Sequence, residues 1–112
     1  MKKDDLVYIG HMLDLARSIA AKTNGIDRDA FDDDEILRLA LVHLIQTIGE
    51  AAARVSDEFR NAHPGIPWRE IVGMRHKIVH DYIHVDYDIV WGVVTNRIPE
   101  LTRHLESIVP EE

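Results

Sequence analysis

Apolar residues recur at helical spacing through most of the chain, and no segment alternates apolar and polar residues for long enough to predict a strand. The first helix is predicted from Asp4 to Lys22, and Asn24-Gly25 is a typical C-terminal stop. It carries two neighbouring apolar stripes, which indicate burial on more than one flank. The stripes are Leu6, Ile9, Leu13, Ala16 and Ala20, and Tyr8, Met12, Leu15 and Ile19.

The second predicted helix is the longest, from Asp34 to Asn61, and its apolar surface is wide enough for a bundle centre or a dimer seam. Gly49 is unfavourable inside a helix, so close approach of another helix is the expected reason for it. Glu50 is either a buried carboxylate paired with a base or a residue that faces water. The main stripe is Leu37, Leu41, Leu44, Ile48, Ala52, Val55 and Phe59.

Two further helices complete the pattern. The third begins near Pro67, which suits a first helical turn, and is expected to continue to Tyr82. Asp86 is expected to cap the fourth, whose stripe includes Arg97, and Pro99 should kink or split it. The sequence thus predicts one all-α domain over residues 1–112, an up-down bundle of four helices, or five if Pro99 divides the last.

Composition narrows the functional classes. The chain has 112 residues, 46% of them apolar, and no cysteine, which excludes disulfides and thiolate metal sites. No apolar run approaches the roughly 18 residues of a membrane span, and the N-terminus lacks the apolar core of a signal peptide, so a cytoplasmic protein is expected. The net charge of −7 argues against a broad nucleic-acid surface but leaves room for a local basic cleft.

The polar stretch from Arg75 to Tyr82 interrupts an otherwise apolar helical pattern. Arg75 and Tyr82 are seven residues apart and share the stripe of Ile71 and Ile78, whereas His80 lies about 140° around the helix from Arg75. Within one regular helix Arg75 and His80 therefore cannot converge. They can converge if the helix frays at His80, or if two copies of the helix meet in a homodimer with a shared site.

The chemistry of these side chains suits cleavage of RNA. A guanidinium grips phosphate in a bidentate manner, and a histidine exchanges protons at neutral pH. A tyrosine hydroxyl bonds phosphate or accepts a covalent modification. No metal is required, because the 2′-hydroxyl of RNA is an internal nucleophile.

Three blocks of this sequence, in order, resemble the HepT-like group of HEPN-domain proteins. They are Ile48-Gly49-Glu50-Ala51-Ala52, the stretch from Ile66 to Arg75, and Arg75-x4-His80-x-Tyr82, followed by the acidic beginning of the last helix at Val85-Asp86. The resemblance covers the chain from about Leu37 to Leu105. It implies a helical HEPN-like bundle and a ribonuclease toxin that is paired with a minimal nucleotidyltransferase antitoxin.

The resemblance also implies roles for single residues. Arg75 and His80 match the catalytic pair, Arg75 for holding phosphate and His80 for proton transfer. Tyr82 matches the tyrosine to which the partner transfers AMP, which silences the toxin. His76 stands where the family commonly has a polar residue, and Lys77 adds local positive charge. That Glu50 orients Arg75 is a hypothesis from the residue itself.

Simpler interpretations stand beside these roles. In one of them, Arg75 and Glu50 form only a structural ion pair. In another, Trp68 and Trp91 anchor the bundle rather than stacking on bases. His76, His80 and His84 have spacing that can hold a metal on one helical face, and the acids of residues 27–34 are more typical of helix caps than of a metal site. No metal or cofactor is expected.

The sequence therefore predicts a homodimeric, metal-independent ribonuclease with RNA as substrate and a nucleotidyltransferase as partner. Its cleft would draw local positive charge from Arg75, His76, Lys77 and Arg69. The alternative is a catalytically silent HEPN module that binds a nucleotidyltransferase or a nucleotide.

Overall fold

The computed structural model of the chain describes residues 3–79 and 84–109. Within these residues the β structure consists of one isolated antiparallel bridge, between Val79 and Val85. The predicted all-α fold is therefore confirmed. The helical elements are α1 (Lys3–Thr23), α2 (Arg28–Asp33), α3 (Glu35–Ala53), α4 (Asp57–Ala62), α5 (Trp68–Val72), α6 (Met74–Ile78), α7 (Tyr87–Gly92), a π-helical turn (Val93–Arg97) and α8 (Ile98–Ile108).

The core lies between α1, α3 and α8, and α1 packs mainly against the other two. α1 and α3 run antiparallel, since Asp5 at the start of α1 contacts Ser56 just beyond the end of α3. Burying a large apolar side chain stabilises the fold by about 1.5–3 kcal/mol, so this core supplies most of the driving force. Its most deeply buried large side chains are Ile9, Met12, Ile19, Phe31, Leu41, Ile45, Ile48, Ile78, Val90, Ile98 and Leu105.

The acidic stretch of residues 27–34, which connects the first two predicted helices, contains a short helix that the sequence analysis missed. Asp27 caps α2 by accepting a hydrogen bond from the N–H of Ala30, and Asp34 caps α3 by accepting one from Leu37. The predicted capping role of these acids is confirmed. α2 forms because Phe31 is fully buried in the core, where its ring lies 5.0 Å from that of Trp91.

Arg28 attaches α2 to α7 at the surface. Its guanidinium bonds Asp32 at 2.8 Å and Asp88 at 2.7 Å. These hydrogen bonds, Asp32 first, raise the pKa of Arg28. The group stays charged at any physiological pH, so the contact holds as long as the two carboxylates are ionised.

The predicted helix from Asp34 to Asn61 is wrong in its second half, because α3 ends at Ala53 and a new helix starts at Asp57. Ser56 caps α4 by accepting a hydrogen bond from the N–H of Phe59. Asp5, only 3% exposed, accepts hydrogen bonds from both the N–H and the hydroxyl of Ser56. This contact from a distant part of the chain stabilises the break.

Gly49 occupies a point of close helix approach, as the sequence predicts. A β-carbon there would lie 3.1 Å from the carbonyl oxygen of Ile71 and 3.7 Å from that of Val72. The contact between this β-carbon and the carbonyl oxygen of Ile71 would be tighter than ordinary packing allows. The glycine therefore lets α5 lie directly against α3.

The last predicted helix is interrupted where Pro99 removes a backbone donor, as expected. A π-helical turn precedes the proline, and in it the N–H of Ile98 bonds the carbonyl oxygen of Val93. The turn accommodates an additional residue, so Ile98, 2% exposed, takes the core position that the sequence pattern assigned to Arg97. The side chain of Arg97 is half exposed instead.

α3 corrects one expectation about apolar runs. By length and composition alone it would suffice to cross a membrane, since a window of this 19-residue helix has a mean hydropathy of 1.4. It packs against α1, α5 and α6, which accounts for much of its apolar surface. Ile36 and Leu39 near its start remain exposed, at 81% and 55%.

Candidate active site

Arg75 lies in α6 with its side chain exposed, not on the core-facing stripe that the sequence pattern assigned to it. The buried residues here are Ile71, Met74 and Ile78, at spacings of three and four, so the core-facing stripe runs through Met74 and Arg75 lies beside it. Hydration of the guanidinium is thereby retained. Within the described residues the Arg75 side chain has no ion-pair or hydrogen-bond partner, which leaves it available to a ligand.

The helix that carries Arg75 ends before His80. α6 stops at Ile78, and Val79 is already extended, with φ −116° and ψ 103°. Val79 pairs with Val85, and the N–H of Asp86 donates to the carbonyl oxygen of Ile78 at 2.8 Å. These contacts bring together the two flanks of residues 80–83.

This helix end removes the geometric argument that Arg75 and His80 point apart. That argument assumed a regular helix through Tyr82, and the β-branched Val79 and Val85 instead favour extended backbone on both flanks. His80 and Tyr82 themselves lie outside the described residues. Their predicted roles as catalytic base and modification site stay predictions.

Glu50 is exposed, so the interpretation in which it faces water is the one that the structure supports. It lines an open groove between α1 and α3, together with Tyr8, His11 and Arg54. No ion pair joins Glu50 to Arg75 within the described residues, which corrects the structural ion pair considered for them. The suggested orienting role of Glu50 therefore has no contact to act through.

A local surplus of positive charge surrounds Arg75 despite the net charge of −7. His76 and Lys77 are exposed in the last turn of α6, and Arg69 is exposed on α5. Cations at the end of a helix also stabilise its dipole, so part of this clustering has a structural cause. Glu70 is the one acid in the sequence between residues 66 and 79.

The two tryptophans are anchors, as predicted. Trp68 is 7% exposed, and its indole N–H donates to the carbonyl oxygen of His63 at 3.0 Å. Trp91 is half-buried against Phe31. Both rings are thus engaged in packing, which does not suit them for stacking on an unpaired base.

Metal binding gains no support from the described part of the chain, where no three histidine, aspartate or glutamate side chains converge. Of the His76, His80 and His84 set, His80 lies outside the described residues. His84 stands beyond the end of α6 rather than on the helical face that metal binding required.

A model of the family described as ribonuclease HepT-like matches residues 12–108. The chain belongs to the HepT-like ribonuclease family. Among its relatives, "Putative RNase TTE0752" of Caldanaerobacter subterraneus subsp. tengcongensis is 36% identical, with 94% of each chain covered. "Probable ribonuclease HepT" of Thermococcus cleftensis is 32% identical over 96% of this chain and 98% of its own.

Another relative carries further sequence. "Gamma-glutamylcyclotransferase and putative RNase MJ0434" of Methanocaldococcus jannaschii is 33% identical over 99% of this chain, which matches 50% of that protein. No solved structure matches the chain significantly. Membership of the HepT-like family confirms the resemblance that the three sequence blocks indicated, and RNA cleavage is the activity that it supports.

Proposed function

We propose that this HepT-like protein is a metal-independent endoribonuclease and the toxin of a toxin–antitoxin pair. Arg75 holds the phosphate of the scissile bond, and His80 transfers protons. Family membership carries the proposal. The guanidinium of Arg75 supports it, because the side chain is exposed and makes no hydrogen bond or ion pair in the described part of the chain, which leaves it available to a phosphate.

The reaction needs few groups. The 2′-oxygen forms a bond to the adjacent phosphorus, the bond to the 5′-oxygen breaks, and a cyclic phosphate and a 5′-hydroxyl result. The 2′-hydroxyl loses a proton and the leaving oxygen gains one, which is the work of His80. Arg75 stabilises the charge on the phosphoryl oxygens.

Cleavage of RNA by the purified protein should continue in excess EDTA. The reason is that the nucleophile belongs to the substrate and the phosphate charge is met by Arg75. The measurement is the cleavage rate of a fluorogenic RNA with EDTA and with added magnesium. Activity that is lost in EDTA and restored by magnesium would contradict the metal-independent mechanism, and no cleavage under either condition would favour the silent binding module.

Transfer of AMP to Tyr82 by a minimal nucleotidyltransferase is the proposed off-switch. The bridge between Val79 and Val85 supports it, since it brings the described residues that flank Tyr82 in the sequence together at the end of α6, the helix that carries Arg75. Incubation with ATP and a purified minimal nucleotidyltransferase of the antitoxin type should add the mass of AMP and abolish cleavage. Tyr82→Phe should take up no AMP and stay active; modification of that variant at another residue would refute the assignment.

A homodimer is the proposed assembly. The exposed Ile36 and Leu39 at the start of α3 are the kind of apolar surface that a second copy covers. The guanidinium of Arg38 lies 5.0 Å over the ring of Tyr87, so the start of α3 adjoins the start of α7. α7 in turn packs against α6, which carries Arg75. A partner on this surface would therefore lie near the active site.

A further inference from the structure

A groove of about 370 Å³ runs between α6 on one side and α7 with the π-helical turn on the other. Lys77 lines it from α6, and Asn96 and Arg97 line it from the turn. Among the described residues, its polar side chains are two cations, one amide and the carboxylate of Glu70. π-helical turns occur frequently at functional sites, and here the turn is what directs Arg97 away from the core.

The cations of the groove are accessible to a ligand. Arg97 pairs with Glu70 at 3.1 Å, but the two side chains are 50% and 30% exposed, and an exposed pair of this kind contributes little to stability. Lys77 is exposed and has no ion-pair partner in the described part of the chain. A strand that presents several phosphates, one for each cation, would therefore compete well with the single carboxylate.

In the described part of the structure, neither the backbone conformation nor the packing requires glycine at position 92, which lies in the same groove. Its φ of −61° and ψ of −40° are ordinary helical values, and a β-carbon there would have no described atom within 4 Å. Glycine inside a helix costs about 1 kcal/mol relative to alanine, which packing does not offset here. What the missing side chain does provide is open space in the groove.

We propose that this groove binds backbone phosphates of the RNA strand whose cleavage the proposed function assigns to Arg75 and His80, and the inference rests on that function. Lys77 and Arg97 bind phosphate oxygens, and the amide of Asn96 donates to another. Lys77 lies about 160° around α6 from Arg75, so the two grip different phosphates. The groove therefore holds nucleotides at a distance from the scissile bond.

The first test measures binding of a single-stranded 2′-O-methyl RNA of about ten nucleotides, a length within the range of single-strand sites. This probe keeps its phosphates and lacks the nucleophile, so it is not cleaved. Lys77→Gln/Arg97→Gln should weaken binding about tenfold for each of the two cations removed. The slope of log K against log salt should fall in magnitude by about 0.7 per cation. Arg17→Gln/Arg103→Gln removes two exposed charges outside the groove and should change the slope little.

Glu70→Gln separates binding from a merely structural ion pair. If the groove holds phosphate, removal of the competing carboxylate frees Arg97, and the probe binds more tightly than to the wild type. If Arg97 serves only its contact with Glu70, Glu70→Gln and Arg97→Gln alter thermal stability alike and leave RNA affinity unchanged. The second result would overturn the proposal.

Gly92→Glu tests the groove while every contact of the fold stays in place. It puts a carboxylate in the groove and should weaken RNA binding, while the melting temperature stays at or above that of the wild type. Gly10→Glu is the matched control, since Gly10 also lies inside a helix with no described atom within 4 Å of a β-carbon. Equal RNA affinities for the two variants would refute the groove.

Kinetics distinguish failure of this inference from failure of the proposed function. Arg97→Gln and Gly92→Glu should raise KM for a long RNA more than they change the cleavage of a dinucleotide, which is too short to reach the groove. Cleavage by the wild type with no effect of the groove variants on KM or on salt dependence overturns the groove alone. RNA binding that depends on Lys77 and Arg97, in a protein that cleaves no RNA, overturns the proposed function and leaves the groove standing.

Discussion

His80→Ala is expected to lower the rate of RNA cleavage by about 10²–10⁴-fold, the usual contribution of a positioned general acid or base. The alanine removes the group that exchanges protons with the 2′-hydroxyl and the leaving oxygen. Arg75 remains in place to bind phosphate, so the decrease should fall on kcat more than on KM. The measurement is single-turnover cleavage of a fluorogenic RNA in EDTA.

His43→Ala is the matched control, since His43 is an exposed histidine on α3 outside the candidate active site. It should cleave at the wild-type rate. Light scattering on both variants should give twice the chain mass of 12.8 kDa, which shows that any decrease in activity does not come from a failure to assemble. A His80→Ala variant with full activity would remove His80 from the mechanism, and a mass of one chain would contradict the dimer.

The helices with strong local signals could be predicted from the sequence. α1 begins and ends within one residue of the predicted bounds, because its apolar stripes are continuous and Asn24-Gly25 terminates it. Asp34 and Asp86 cap the helices that they were expected to cap. These features depend on neighbours within four residues, which the sequence displays directly.

The break between α3 and α4 depends on a distant contact, and the sequence pattern did not reveal it. The apolar rhythm continues from α3 through Val55 and Phe59, both buried, although the helix itself stops at Ala53. The contact between Asp5 and Ser56, which are 51 residues apart, explains the stop. Phe31 gave no periodic signal either, since its helix has six residues.

At the candidate site, too, the residues with local sequence signals could be predicted, whereas the directions of their side chains could not. Arg75 and the surrounding blocks were found from motif and family resemblance, whereas its exposure was missed because the core-facing position belongs to the preceding residue, Met74. Arg97 was assigned to the core because a regular helix would place it there, and the π-helical turn gives that position to Ile98. The proline at 99 indicated an irregular helix but not the direction in which Arg97 would turn.

Asp5→Ala is expected to lower the free energy of unfolding by about 2–4 kcal/mol. Its carboxylate is 3% exposed and accepts hydrogen bonds of 2.8 and 2.7 Å from the N–H and the hydroxyl of Ser56. Hydrogen bonds to a charged group are stronger than neutral ones, and the substitution leaves both donors without this acceptor. The same hydroxyl accepts from Phe59, so the cap of α4 is weakened together with the contact.

Urea denaturation followed by circular dichroism gives the comparison, with Asp4→Ala as the control. Asp4 is exposed in the same first turn of α1, so its substitution removes an equal charge near the same helix end and should change stability by less than about 0.5 kcal/mol. Asp5→Asn keeps one acceptor oxygen and should fall between the two. If Asp5→Ala were as stable as Asp4→Ala, the break between α3 and α4 would have to be stabilised by its other contacts, which are the burial of Val55 and Phe59 and the hydrogen bond that Arg60 donates to the carbonyl oxygen of Ala52 at 2.9 Å.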